Sequence, residues 1–543
     1  HDLVTLYPFE GAVNRTSLVV IEKSGKTEFP IPCVMWHNPR SKGIDQEAEL
    51  EEVRKTTRQF DLVFIPIEEN KLESPWMEIT EKAYKGIKKI LGNTQYTAHA
   101  GVYTGLDQAY WVEILSKESA GLLITNPSLP GQKKKIKQVK QVVEEELVYP
   151  LIRGRDVKKW YVKQELGYIL LPVDRDGKTL SHSDLKIKYP QTWKYFSNFI
   201  NDLINRGGEP YKSKLKPYRE KKFEIAEKVA PPFYWLFNVA PALAPYKVVW
   251  KNIAGAITGK ATDFQCAVIG EYTDKFLGKK ISIPNVKLML IPFRSLEESH
   301  YVCAILNSSM IILFVGSYVI ETGISTHITQ YIKIPKFDPK NLLHQKLSQL
   351  SQKAHEIAKK IYEENREDLK EDLKKIEEEI DKTVAKLYGI TDEELKEIKK
   401  CLMILKEGEI PEEGSNEEQE IALSKRDIEI NIDPLLIEEC AEKELTLSFR
   451  NNANKSLKDA RLEVKLKSKS ILTKTIKEIK PNNSISLKFT IPKLKSGNYE
   501  LEIFFSSQSM KFKDLRKLFV KEKNKVEKAK SSLDDELEKL LGG

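Results

Sequence analysis

The chain has 543 residues, room for about three or four domains with sizeable cores. Hydrophobic residues make up 41% and charged residues 31%, and no apolar run reaches the roughly 18–20 residues that a membrane-crossing helix needs. The longest candidate, residues 305–320, is interrupted by Asn307, Ser308, Ser309 and Gly316, so no membrane partner is expected.

The five cysteines, Cys33, Cys266, Cys303, Cys401 and Cys440, form no C-x-x-C pair, and the eight histidines form no H-E-x-x-H motif. Zinc-ribbon, thioredoxin-like and zincin chemistry therefore have no sequence basis. Scattered single cysteines fit a reducing cytoplasm. The net charge of +9 is unevenly spread: residues 131–260 hold 26 Lys and Arg against 13 Asp and Glu, a net +13, and the remainder carries −4. The same stretch holds 18 of the 48 aromatic residues. Basic side chains meet phosphates and aromatic rings stack on bases, so a polyanion partner is expected.

In chain order, residues 1–36 read as strands, with 17–22 (SLVVIE) a short apolar strand and 28–34 extended. This hairpin is expected to belong to a sheet whose other strands lie outside a chain cut from a longer one, since His1 is not Met and no basic-then-apolar leader follows it. Polar residues at helical spacing fill 45–60, and 76–91 reads as an amphipathic helix. Residues 97–114 read as strand, glycine-rich turn, strand, and 131–141 as a basic exposed loop. Strands and a helix over 193–205 are expected within 147–205, short β segments in 247–290, a helix over 297–317 and a strand at 331–334. Leucines and isoleucines three and four apart in 341–405 predict a long helical hairpin capped by Gly389. Residues 407–424 form an acidic linker. About seven alternating runs in 427–520 predict an immunoglobulin-like sandwich, and 521–543 is a charged tail.

Three stretches resemble the post-catalytic half of TaqI-like adenine-N6 DNA methyltransferases and their restriction-modification and phage-defence relatives. Residues 15–36 (RTSLVVIEKSGKTEFPIPCVMW) are similar to the last hairpin of the methyltransferase sheet. Residues 98–114 (AHAGVYTGLDQAYWVEI) resemble the glycine-rich opening of the target-recognition domain, with Asp107 where Asn is usual and Tyr110 where Phe is usual. Residues 148–161 (VYPLIRGRDVKKWY) resemble the family's Pro-Leu-x-Arg-Gly-Arg-Asp segment, and 304–308 with 320–335 its later helix and closing strand.

The resemblance implies an α+β multidomain chain. Residues 1–92 would be the C-terminal remnant of an α/β methyltransferase sheet with linker helices. Residues 93–340 would form the mixed target-recognition domain, followed by the helical hairpin 341–406, the linker 407–426, the sandwich 427–520 and the tail.

On the residues themselves, Gly101 and Gly105 permit close backbone approach and positive φ, and Thr104 supplies a hydroxyl. Such a turn can set backbone N–H groups against a phosphate. Arg153 and Arg155 offer guanidinium forks for phosphate or guanine, with Asp156 able to hold one of them. Lys158 and Lys159 follow directly. Lys212, Lys214, Lys216, Arg219, Lys221 and Lys222 crowd a short segment around Tyr211 and Tyr218, and Lys251 adds to the basic block. These are the expected DNA contacts. Trp235 and Trp250 read as core residues.

Catalytic motifs are not found. The nearest match to the Asn-Pro-Pro-Tyr base pocket is Ala230-Pro231-Pro232-Phe233, whose alanine side chain cannot accept a hydrogen bond from a flipped adenine. Asp174, Asp176 and Lys178 resemble a nuclease triplet but read first as a hairpin turn. The expected function is sequence-specific binding of double-stranded DNA as the recognition part of an adenine-N6 methyltransferase. S-adenosylmethionine would serve the parent enzyme, in whose missing N-terminal domain catalysis lies, with or without a nuclease; no cofactor or metal is expected on this chain. The alternative is a non-enzymatic scaffold in a defence complex, in which the helical hairpin and the sandwich bind partner proteins.

Overall fold

The computed structural model describes residues 1–9, 16–23, 25–39, 43–45, 47–69, 71, 73–127, 136–163, 167–252, 261–318, 323–409, 428–439, 442–452, 456–507 and 511–521. Residues 131–135 of the expected basic loop 131–141, residues 410–424 of the acidic linker and residues 522–543 of the charged tail lie outside the described residues; the end of the loop is instead the start of strand Lys140–Val143, and Glu407 still belongs to a helix. The chain is mixed α+β and divides into two compact units, one of residues 22–33 and 61–411, the other of 1–21, 34–60 and 412–543.

The larger unit is built on two sheets. The first runs in the order Ile283–Pro284, Val148–Ile152, Gly167–Leu170, Trp111–Glu118, Gly121–Thr125, Lys140–Val143. The second runs Cys266–Ile269, Tyr246–Lys251, Leu288–Phe293, His99–Ala100. Neighbouring strands are antiparallel except for Ile283 beside Leu151, which is parallel. One apolar core joins Val112, Leu151 and Ile169 of the first sheet to Val249 and Leu290 of the second, and to Phe196, Tyr211 and Phe233 from the helical stretch 182–233. Glu144 anchors that stretch by accepting from the N–H groups of Gln191 and Thr192 at 2.9 and 2.8 Å, where a helix start leaves donors unpaired.

On the other side of the second sheet, helix Leu296–Leu306 packs on Leu342–Glu363, which pairs with Lys370–Tyr388. Gly389 ends the latter in the left-handed conformation at φ 64°. The stretch 341–405 holds a further helix, Asp392–Glu407, started by a Thr391–Glu394 capping box, so the hairpin of Leu342–Glu363 and Lys370–Tyr388 is followed by a third helix. Among the described residues no single helix is long and apolar enough to cross a membrane, and the apolar pair Leu296–Leu306 and Ser309–Tyr318 bends by 59°.

Several local expectations fail for identifiable reasons. Residues 17–22 form no strand; Leu18, Val19, Val20 and Ile21 are exposed. The helix expected from Trp76 begins with a strand, Trp76–Ile79, paired to Arg58–Pro66, and becomes helical only at Glu81. Pairing with Arg58–Pro66 buries Met77, Glu78 and Ile79 in turn, and the helical spacing takes over only with Ala83. The helix expected over 193–205 is two short ones, Pro190–Ser197 and Ile200–Ile204, the first opened by Pro190 at its first position. Residues 331–334 make only a single bridge, Leu91 to Ile332.

The smaller unit contains the C-terminal β-sandwich. One sheet orders Ile428–Asp433, Lys443–Asn451, Ser484–Ile491; the other orders Leu436–Glu438, Lys511–Lys521, Gly497–Ser506, Leu457–Leu466, Lys469–Ile479. Leu445, Leu447 and Phe449 point inward from one sheet and Leu462, Leu501 and Ile503 from the other. Phe449 stacks on Phe505 at 4.8 Å between ring centres.

Lys247, in strand Tyr246–Lys251, is fully buried and donates to the carbonyls of Ala242 and Ala244 at 3.0 and 2.7 Å. Burial pushes its ammonium down to about 7 from 10.5, and pushes Lys280 down to about 8. Between about 7 and 10.5 the unfolded chain therefore holds more protons than the folded one, so stability rises with pH across that window. Denaturant unfolding followed from pH ~7 to ~9.5 is expected to show this rise, and Lys247→Met to reduce it to the part that Lys280 contributes; a level wild-type profile would mean the buried amine stays charged.

Candidate nucleic-acid interface

Stretches far apart in sequence meet on one turn, residues 284–288. From one side comes strand His99–Ala100, paired with Met289 and Leu290. Gly101 N donates to Leu288 O at 2.8 Å, Val102 N to Pro284 O at 2.8 Å, and Val286 N to Val102 O at 3.0 Å. A β-carbon on Gly101 would lie 2.2 Å from the Asn285 carbonyl oxygen, so only glycine lets these backbones touch. From the other side, Asn285 N donates to Ile152 O at 3.0 Å, the residue that precedes Arg153.

The glycine-rich stretch is turned inward. The N–H groups of Gly101 and Val102 are spent on protein carbonyls. Thr104 is fully buried; its hydroxyl donates to Asp107 and accepts from Leu106 N at 3.3 Å. Gly105 sits at φ +68° with the Tyr211 ring and the Gly207 carbonyl where a side chain would be. The expectation that Gly101, Thr104 and Gly105 present donors to a phosphate is corrected: they shape the backbone rather than face a ligand.

What binds this turn is Arg206, which sequence reasoning did not single out. Only 3% exposed, it donates to Thr104 O at 2.9 Å, to the Tyr110 hydroxyl at 2.6 Å and to Trp235 O, and lies 3.8 Å from the centre of the Tyr211 ring. Tyr110 passes the chain on to Tyr234 O at 2.8 Å.

The Arg153–Asp156 turn is solvent-facing. Asp156 is buried and accepts from Arg153 N at 2.8 Å and Arg153 Nε at 3.4 Å, with Arg155 Nε 3.9 Å away. The Arg155 side chain is 72% exposed and that of Arg153 24%. Neither is entombed, and Asp156 holds the pair as a fork.

Lys158 and Lys159 behave differently. Lys158 lies 4.0 Å over the Tyr362 ring. Lys159 pairs with Glu377 at 2.7 Å, and the same carboxylate accepts from Trp160 Nε1 at 2.7 Å. Lys159 thus fastens this segment to helix Lys370–Tyr388, which corrects its reading as a free phosphate contact.

Lys212 and Lys214 on helix Glu209–Lys214, and Lys216 on Lys216–Glu220, are exposed. Lys216 lies 3.4 Å from Glu220, an exposed pair of small energetic weight. Arg219 donates to Ile204 O at 2.6 Å and to Lys212 O, so its guanidinium braces two helix ends instead of reaching outward. Tyr211 and Tyr218 are buried core residues and do not interleave the surface lysines. Lys251 closes strand Tyr246–Lys251 opposite Leu288 and is half-buried. Trp250 is buried and donates to Ile324 O at 2.9 Å; Trp235 is half-buried.

The lookalike motifs resolve as structure. Phe233 of the Pro-Pro turn packs in an aromatic cluster around His182, whose imidazole burial pushes down to about 4. Asp174 accepts from Asp176 N and Lys178 N at 3.0 and 2.9 Å, closing a turn with Gly177 at φ +78°.

No family model matches the chain, and no curated protein matches it. Solved structures similar to part of it include a CARDB domain from Pyrococcus furiosus at 12% identity, TM-score 0.16, covering 18% of this chain and 94% of that one. A FixG-related protein from Vibrio parahaemolyticus follows at 14% identity, TM-score 0.14, covering 17% and 94%. An MSP family member from C. elegans is 11% identical, TM-score 0.13, covering 17% and 94%.

Gly105→Ala places a methyl 2.6 Å from the Tyr211 ring at a positive φ, and Arg206→Met strips partners from buried carbonyls. Each is expected to lower the unfolding free energy of this unit by on the order of 2–4 kcal/mol, read by denaturant melts. Changes below about 0.5 kcal/mol would show that the turn does not depend on them.

Proposed function

We propose that this chain binds double-stranded DNA as the target-recognition part of an adenine-N6 methyltransferase whose donor and base pockets lie on a separate domain. One observation carries the reading. The two stretches that resemble the family's recognition domain, 98–114 and 148–161, lie against the same turn, and beside it Arg155 reaches solvent from a carboxylate-held fork. The exposed Lys212, Lys214 and Lys216 supply further charge for a phosphate backbone.

In this reading the chain supplies affinity and site choice. S-adenosylmethionine, bound elsewhere, would supply the methyl group. The alternative scaffold reading draws on Lys159 and Trp160, whose engagement of Glu377 diverts part of the basic block to internal packing.

Filter binding to short duplexes at two salt concentrations separates the two. Recognition predicts binding that falls steeply with salt, because several phosphates are contacted; no binding at low salt would leave only the scaffold. Arg155→Ala is expected to weaken binding with little change in stability, since its side chain is largely in water. Arg153→Ala is expected to weaken binding and also to loosen the turn, because Asp156 loses its partner. Methyl transfer from labelled donor is expected to be undetectable with this chain alone.

A further inference from the structure

We infer that Lys287, at the tip of the turn on which the recognition stretches meet, is a direct contact to a DNA backbone phosphate and completes one anion site with Arg153 and Arg155. This rests on the DNA-binding reading above and adds a residue outside the stretches that suggested it.

Lys287 is exposed, yet its backbone is held on every side. Its N–H donates to Asn285 Oδ1 at 3.2 Å, its carbonyl accepts from Asn252 N at 2.9 Å, and Leu288 N closes the turn on Asn285 O at 2.9 Å. The neighbouring positions are pinned to Val102 and Ile152. A β-carbon on Gly154 would sit 3.9 Å from Lys287 Cβ, so the lysine rises beside the glycine that separates the two arginines. A side chain larger than hydrogen at 154 would narrow the space between them.

Charge at this place is not balanced locally. Among the described residues Lys287 forms no ion pair. Arg153 and Arg155 share the one carboxylate of Asp156. The other acid within reach of the Lys287 field is Asp107, largely buried and occupied by the Thr104 hydroxyl; burial raises its carboxyl, and the Thr104 hydrogen bond and the Lys287 charge lower it. Three cations on rigid turns, Arg155 and Lys287 exposed and Arg153 half-buried against Asp156, thus have among them one ion-paired carboxylate. A phosphate diester is the anion that suits this arrangement: singly charged, with two free oxygens, and repeated along a duplex rail. The ammonium acts as a point charge and the guanidinium as a fork.

The test compares the 543-residue wild-type chain with Lys287→Gln, Lys287→Arg and, as a charge-matched control on the hairpin of Glu271–Asp274 and Gly278–Ile281, Lys279→Gln, which is exposed and paired with Glu271. Affinity for two duplexes of unrelated sequence is measured from about 50 to about 200 mM salt. Loss of one phosphate contact is expected to reduce the slope of log K against log salt by about 0.9 in Lys287→Gln, equally for both duplexes. Lys287→Arg should keep the wild-type slope and Lys279→Gln should leave it unchanged. Wild-type binding with an unaltered slope in Lys287→Gln, or an equal drop in Lys279→Gln, overturns the inference and leaves the DNA-binding reading standing. Failure of the wild-type chain to bind removes both.

Discussion

Arg206 carries a charge into the interior with no carboxylate to meet it among the described residues. Its guanidinium is instead shared between the Thr104 and Trp235 carbonyls, the Tyr110 hydroxyl and the face of Tyr211. Those partners come from three segments: the 98–114 stretch supplies Thr104 and Tyr110, and Tyr211 and Trp235 come from two others. A buried cation costs free energy unless its hydrogens are matched, so the segments are constrained to close around it. The glycine-rich turn, the start of helix Glu209–Lys214 and the Trp235 turn therefore hold one arrangement, and the exposed lysines of the 209–220 helices inherit their positions from it.

The same logic accounts for two polar side chains of the 98–114 stretch, Tyr110 and Asp107. Tyr110 has a hydroxyl that accepts from Arg206 and donates to Tyr234 O at 2.8 Å, a relay that phenylalanine cannot make. Asp107 accepts a hydrogen bond from the Thr104 hydroxyl. Both side chains serve internal hydrogen bonding in a buried region, where an unmatched polar group is expensive.

Outward chemistry falls instead on short turns at the sheet edges. Asp156 is buried beneath Arg153 and Arg155 and aims them, while Lys159 and Trp160 tie the following residues to Glu377 of a helix more than two hundred positions away. Surface turns gain precision when a rigid scaffold positions them, and here the scaffold is the pair of sheets joined by a common core.

Periodicity and local chemistry alone determined a good part of this protein: the helices of 341–405 with the Gly389 cap, the alternating strands of the sandwich, the Asp174–Lys178 turn and the proline turn before Phe233, and a basic, aromatic-rich middle. These follow from interactions between residues a few positions apart, which a sequence displays directly. The tertiary structure decided which basic residues are free. Arg219 and Lys159 looked available by type, but carbonyls and a carboxylate had claimed them. Lys287 looked ordinary, and only the meeting of Val102, Ile152 and Asn285 on one turn sets it beside Gly154. Long-range partners satisfy hydrogen bonds and cancel charge, and no spacing within a single stretch records who they are.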